Sequence, residues 1–125
     1  MASFSKLWRW ESGRQGTGYD KLLLATSERL KFDLYLLRFP RDCVVPRHRD
    51  PTVPGYEHHR VNITLKKPLI GGEIVVDGPS HRALGGRYMR FRPDLYLHWM
   101  TAVEYIWPAN MYVLSFGWLR KVKSA

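Results

Sequence analysis

Three residues in this chain have the types and spacing to hold a metal ion: His48 and Asp50 in "VPRHRD", and His98 in "RPDLYLHWMT". On an extended strand, residues two apart point to the same side. His48 and Asp50 can then reach one ion together while Arg49 points away. A second imidazole from another strand, His98, completes two nitrogens and one carboxylate oxygen. That set covers one face of an octahedral metal and leaves the other positions open. His-x-Asp alone is a weak signal, and from the spacing a surface ion pair near a turn accounts for His48 and Asp50 equally well.

The elements that must position the trio read as strands. After Asp50, a turn-rich "PTVPGYEHH" leads into "RVNITLK", where apolar Val61, Ile63 and Leu65 alternate with polar Arg60, Asn62, Thr64 and Lys66. Gly71 and Gly72 make a turn before "EIVVDG", "RYMRFRPD" leads to His98, and "MYVLSFGWL" closes the pattern. Upstream, Phe32, Leu34 and Leu36 alternate with Lys31, Asp33 and Tyr35 until Pro40 ends the run. The expected strands are 31–39, 60–66, 73–76, 87–92 and 111–119. Short strands separated by turn signals imply a mainly β sandwich or barrel. One short N-terminal helix is expected in "YDKLLLATSERL" (19–30), with Leu22, Leu23 and Leu24 partly buried. Val61, Ile63 and Leu65 are expected to meet apolar neighbours and to be more buried than Asn62 and Thr64. The polar parity of that strand then points into the barrel mouth. His58 and His59 fall in the loop before it. Trp8 and Trp10 read as packing anchors for the N-terminal arm.

Between about Cys43 and Arg120 the chain resembles small, phage-type 2-oxoglutarate/Fe(II)-dependent oxygenases of the double-stranded β-helix (jelly-roll) superfamily. The matching segments are "HRD", "HHRVNITLKKPLIGGEIVV", "MRFRPDLYLHWMT" and "YVLSFGWLRK", in the family's order. The resemblance implies a jelly roll at 43–120 supported by an N-terminal segment at 1–42, all in one domain. It implies His48, Asp50 and His98 as iron ligands, with Fe(II), 2-oxoglutarate and O2 as cofactor and co-substrates. One departure stands out. The family places an Arg near the start of the last strand, where its guanidinium pairs with the far carboxylate of 2-oxoglutarate. Here Met111 takes that place, and 99–119 contains no Lys or Arg. Arg60, assisted by Asn62, is the expected substitute anchor, because it lies on the polar parity of the next strand after His-x-Asp.

Composition sets the bounds. The chain has 125 residues, enough for one core, and 45% are hydrophobic. No apolar run approaches a membrane span, and the N-terminus lacks the apolar run of a signal peptide. Cys43 is the only cysteine, so no intrachain disulfide forms. These features fit a cytoplasmic protein, and the resemblance implies that it is phage-encoded or bacterial. Twenty Lys and Arg against 11 acids leave a net charge of +9. Arg41, Arg47, Arg49 and Arg60 fall near the proposed metal, and Arg82, Arg87, Arg90 and Arg92 precede His98. A basic surface of this kind attracts phosphate backbones and other acidic partners, and it also serves plain solubility. Arg49, Tyr56, His59 and Trp99 are candidates for a substrate mouth, and Tyr96, Tyr105 and Trp107 add rings on which bases can stack. Three functions follow: an oxygenase hydroxylating a C–H bond on a nucleic acid or nucleotide, a catalytically degenerate jelly roll that binds nucleic acid or a host protein, and a metal enzyme without 2-oxoglutarate, similar to cupins.

Overall fold

A computed structural model of the chain describes residues 7–13, 18–105 and 110–122. They form β1 (Trp10–Ser12), β2 (Asp20–Ser27), β3 (Phe32–Pro40), β4 (Val45–His48), β5 (Tyr56–Lys66), β6 (Ile70–Gly71), β7 (Ile74–Val76), β8 (Ser80–Ala83), β9 (Tyr88–Phe91), β10 (His98–Met100), β11 (Val103–Tyr105) and β12 (Asn110–Lys121). Among the described residues a 3-10 turn spans Leu84–Gly86. The long sheet has the order β1-β2-β3-β12-β5-β9-β8. Opposite it stand a three-stranded sheet, β4-β10-β7, and a two-stranded one, β11-β6. Neighbouring strands pair antiparallel throughout. Phe39, Cys43, Val45, Met100, Val103, Met111 and Val113 form one apolar cluster drawn from both layers. No helix among the described residues is long and apolar enough to cross a membrane.

The five expected strands are all present, with shifted ends. The expected N-terminal helix is not: residues 20–27 are β2. Leucine favours helix intrinsically, but β2 is bonded along both edges, to β1 and β3, and pairing overrides propensity. The register skips Leu24 between Leu23 and Ala25, a bulge that fits three consecutive leucines into a two-sided strand. The Ser27 hydroxyl then accepts the Leu30 N–H and closes the turn into β3.

The burial of β5 is also the reverse of expectation. Asn62 and Thr64 are 7% and 9% exposed, whereas Leu65 is 53% exposed. Val61 and Ile63 are only half-buried. The alternation and its inward polar face are as expected; what differs is that this face, turned toward Asp33 and Tyr35 on β3 and Ser115 on β12, is the more buried one. These polar groups satisfy one another, as where Ser115 Oγ donates to Asn62 Oδ1 at 2.6 Å. The outward face carries Phe32, Phe116 and Trp118, tilted against one another. His58 and His59 lie within β5, not in a loop before it. Trp8 and Trp10 are exposed rather than packed, with the Arg38 guanidinium 3.9 Å from the Trp10 ring.

Candidate metal centre

The trio is assembled by β4 and β10. His48 and His98 are direct partners across this antiparallel pair, and their ring centroids are 4.2 Å apart. The next register pair is Val45 with Met100, so β4 uses one residue more than β10 over the same span. That bulge at Pro46 and Arg47 lets both Val45 and His48 face inward, the first to the apolar cluster and the second to the site. Asp50 follows the end of β4 and is held by its N–H to the Pro93 carbonyl at 2.8 Å. Asp50 Oδ1 lies 3.3 Å from His48 Nε2 and 3.5 Å from His98 Nε2. All three ligand atoms fall within 4.8 Å of one another. Facial ligands on a metal at about 2.1 Å stand about 3 Å apart, so the spacing suits one ion.

Both rings are oriented by the main chain. His48 Nδ1 is 2.7 Å from the Pro46 carbonyl, and His98 Nδ1 is 3.1 Å from the Tyr96 carbonyl. A carbonyl only accepts, so each Nδ1 carries a proton and each Nε2 is the nitrogen turned toward Asp50. Two Nε2 atoms and a carboxylate oxygen facing one point are drawn together by a cation among them, whether protons on the rings or a metal ion. This donor set fits a divalent metal. Burial by itself would raise the Asp50 carboxyl, but the two imidazoles and the Arg60 charge outweigh it and hold it far below the usual carboxylate range. Asp50 is therefore ionised and ready to ligate. Phe91 meets His98 edge-on at 5.1 Å and closes one side.

The trio lines a cavity of about 980 Å³ between the two layers, together with Arg60 and Asn62. Arg60 donates to Asp33 Oδ1 at 2.9 Å and to Ser115 Oγ at 2.8 Å. Its guanidinium lies across Gly117, where any Cβ would collide with it. His58 Nε2 is 3.3 Å from Arg60, and burial together with the Arg60 charge pushes the imidazole down, toward its neutral form. Tyr35 is pushed up to about 12, first by burial and then by Asp33. Lys21, Asp33, Tyr35, His58 and Ser115 all line the cavity and were missed by the sequence reading. Strand parity was the available signal: each lies on the inward alternation of its strand. Met111 packs in the apolar cluster, 1% exposed, and does not line this cavity.

The four mouth candidates separate. Trp99 lines the cavity, and the Arg47 guanidinium lies 4.2 Å from its ring centroid. Arg49 donates to the Leu95 carbonyl at 3.0 Å. Tyr56 sits under the Lys31 ammonium. His59 stacks on Trp118, on the side of β5 opposite His58, and does not line the cavity. Trp107 and the Tyr105 side chain lie outside the described residues. Part of the basic set is structural: Arg87 donates to the Thr64 and Leu65 carbonyls, and Arg92 pairs with Asp94 and Glu57. Asp94 also accepts the His58 N–H, which ties the segment before His98 to β5.

The two layers form an antiparallel jelly roll, with the trio in the cavity between them. Solved structures agree on the fold. An RmlC-like cupin from Shewanella frigidimarina matches 93% of this chain and 87% of its own, at 15% identity and a TM-score of 0.60. KdgF from Halomonas sp. matches 90% and 87%, at 16% identity and a TM-score of 0.58. An RmlC-like cupin from Desulfovibrio desulfuricans matches 94% and 96%, at 22% identity and a TM-score of 0.55. These likenesses are of fold, and they do not single out the phage-type oxygenases within the superfamily. No protein-family model and no curated protein matches the chain.

Proposed function

We propose that this chain is a metal-dependent jelly-roll oxygenase, with His48, Asp50 and His98 holding Fe(II) and with 2-oxoglutarate as co-substrate. One observation carries the reading: two imidazoles oriented by backbone carbonyls and an ionised carboxylate aim their donor atoms at one point in the wall of a large cavity lined by polar and apolar side chains. When bound, the iron supplies oxidative decarboxylation of the oxo-acid coupled to C–H hydroxylation. The chain's residues do the rest. The backbone carbonyls orient the rings, Arg60 and Asn62 form the polar wall along which the co-substrate lies, and Asp33 balances the Arg60 charge. Trp99 and Arg47 at the mouth, with the net charge of +9, favour a nucleic acid or nucleotide as substrate. The test is anaerobic Fe(II) titration followed by O2-dependent succinate release from 2-oxoglutarate. Tight metal binding without succinate release refutes the co-substrate half. No metal binding refutes the whole reading.

A second reading has its own support. Met111 is buried in the apolar cluster at the position where the family resemblance puts its Arg. A metal site that operates without 2-oxoglutarate, or that only binds a partner, is consistent with that substitution. Metal binding with no affinity for any 2-oxo acid is the result that selects it.

A further inference from the structure

The long sheet has two faces, and the shorter sheets stand against one of them. No described strand lies on the other. Its middle is apolar. Leu34 and Leu36 on β3, Leu114 and Phe116 on β12, and Val61 and Ile63 on β5 are register partners there. Phe32 and Trp118 extend the patch at one end, their rings tilted against Phe116 at 5.6 and 5.5 Å. Phe116 is 37% exposed, and the rest are half-buried. A continuous apolar patch across three adjacent strands marks a protein interface.

Three features point to a second copy of this chain as the occupant. The first is symmetry. β12 is the middle strand of the seven, and Leu114 and Phe116 have an aliphatic pair on either side. A half-turn about an axis through β12, normal to the sheet, lays Leu34 and Leu36 of one copy over Ile63 and Val61 of the other. The face is complementary to itself, as an isologous contact requires. The second is size. With strands about 4.8 Å apart and about 3.3 Å per residue, the sheet's plane covers about 650 Å². A standard interface buries about 600–1,000 Å² on each partner. The third is charge. The chain carries +9, yet each end of the patch holds an ion pair: Arg38 with Asp20 at 2.9 Å, and Arg92 with Glu57 at 2.8 Å. Arg90 lies against the Trp118 ring at the margin, 5.3 Å from its centroid. The same half-turn sets the Asp20–Arg38 corner over the Glu57–Arg92 corner, so acid and base are present on both sides. An apolar centre with a polar rim is the usual make-up of a protein–protein contact.

We propose that the outer face of the long sheet is the contact between two copies of this chain, related by a two-fold axis through β12 with Phe116 near its centre. The metal cavity lies behind the opposite face of the sheet, so the proposal is independent of the metal reading.

The experiment is sedimentation equilibrium on the full chain, for wild type, Phe116→Glu, Phe116→Arg and an equimolar mixture of the two variants. Wild type is expected to be dimeric in the micromolar range. Each variant alone raises the dimer Kd by about thirtyfold or more, the scale of losing a central aromatic anchor. The mixture recovers a dimer, because opposite charges then meet near the axis. Circular dichroism checks that each variant keeps its strands. Leu36→Glu and Val61→Lys repeat the test on the flanks: each alone weakens the dimer, and the double variant regains it, because the two positions face each other across the axis. A wild type that stays monomeric throughout overturns the proposal and leaves the face to a different partner. A dimer indifferent to both Phe116 variants places the contact elsewhere. Weakening that neither the mixture nor the double variant reverses rules out the two-fold arrangement.

Discussion

Replacing Gly117 with alanine tests the wall of the cavity without touching a metal ligand. Gly117 faces Arg60 in the β5–β12 register, and a Cβ there would collide with the guanidinium, with Nε still only 3.1 Å away. Arg60 has little room to yield, since its side chain is 13% exposed and it is fixed at both ends by Asp33 and Ser115. Hydrogen bonds to charged groups contribute about 1.5–3 kcal/mol each, and moving the guanidinium strains two of them beside a buried carboxylate. Gly117→Ala is expected to cost about 3 kcal/mol in urea unfolding. The control background is Arg60→Ala with Asp33→Asn, which removes the pair without stranding a buried charge. There the same substitution is expected to cost under about 1 kcal/mol, a coupling of about 2 kcal/mol. Equal costs in the two backgrounds, or a cost near zero in wild type, would show that Arg60 slides aside freely and that the wall is not fixed as described.

Asp50→Ala is expected to abolish measurable Mn(II) or Fe(II) binding in calorimetry while leaving the β-rich circular dichroism spectrum unchanged. A metal held by the trio would tie β4 to β10, so saturating Mn(II) at about 100 times its Kd should add about 2.7 kcal/mol and raise Tm in wild type but not in Asp50→Ala. Asp33→Ala strands Arg60 without its carboxylate and is expected to cost about 3–5 kcal/mol by denaturant titration, more than Asp33→Asn. Tyr35 holds its proton more tightly folded than unfolded, so its contribution to stability is complete below about pH 10 and is lost as pH rises through about 12. Phenolate absorbance should therefore show one late-titrating tyrosine that Tyr35→Phe removes.

The sequence made the trio legible because His-x-Asp beside a strand has few geometric outcomes, and because His98 fell in a second strand pattern. The alternation of β5 was equally plain, and so was its inward polar face, but not which face would be the better buried. That depends on the neighbours, and here Asp33, Tyr35 and Ser115, distant in the chain, make a buried polar face tolerable. The same dependence misplaced His59 in favour of His58, one residue and one face away. Three leucines in a row suggested a helix, and only the pairing partners on both edges of β2 reveal the bulge that makes them a strand. The extra residue in β4 had one mark, Pro46, which cannot donate to a strand ladder and so falls at edges and bulges.

The two carbonyls behind the imidazoles have a consequence for engineering. Each belongs to the residue two positions before its histidine, Pro46 for His48 and Tyr96 for His98. Each ring is therefore aimed by a three-residue cassette that needs no supporting side chain. Substitution at Pro46 or Tyr96 leaves the acceptor in place as long as the strand keeps its path. Two such cassettes set face to face across an antiparallel pair form a portable receptor. Grafted with that register and one nearby carboxylate onto another two-stranded ribbon, they should carry the tautomer and aim of both nitrogens with them.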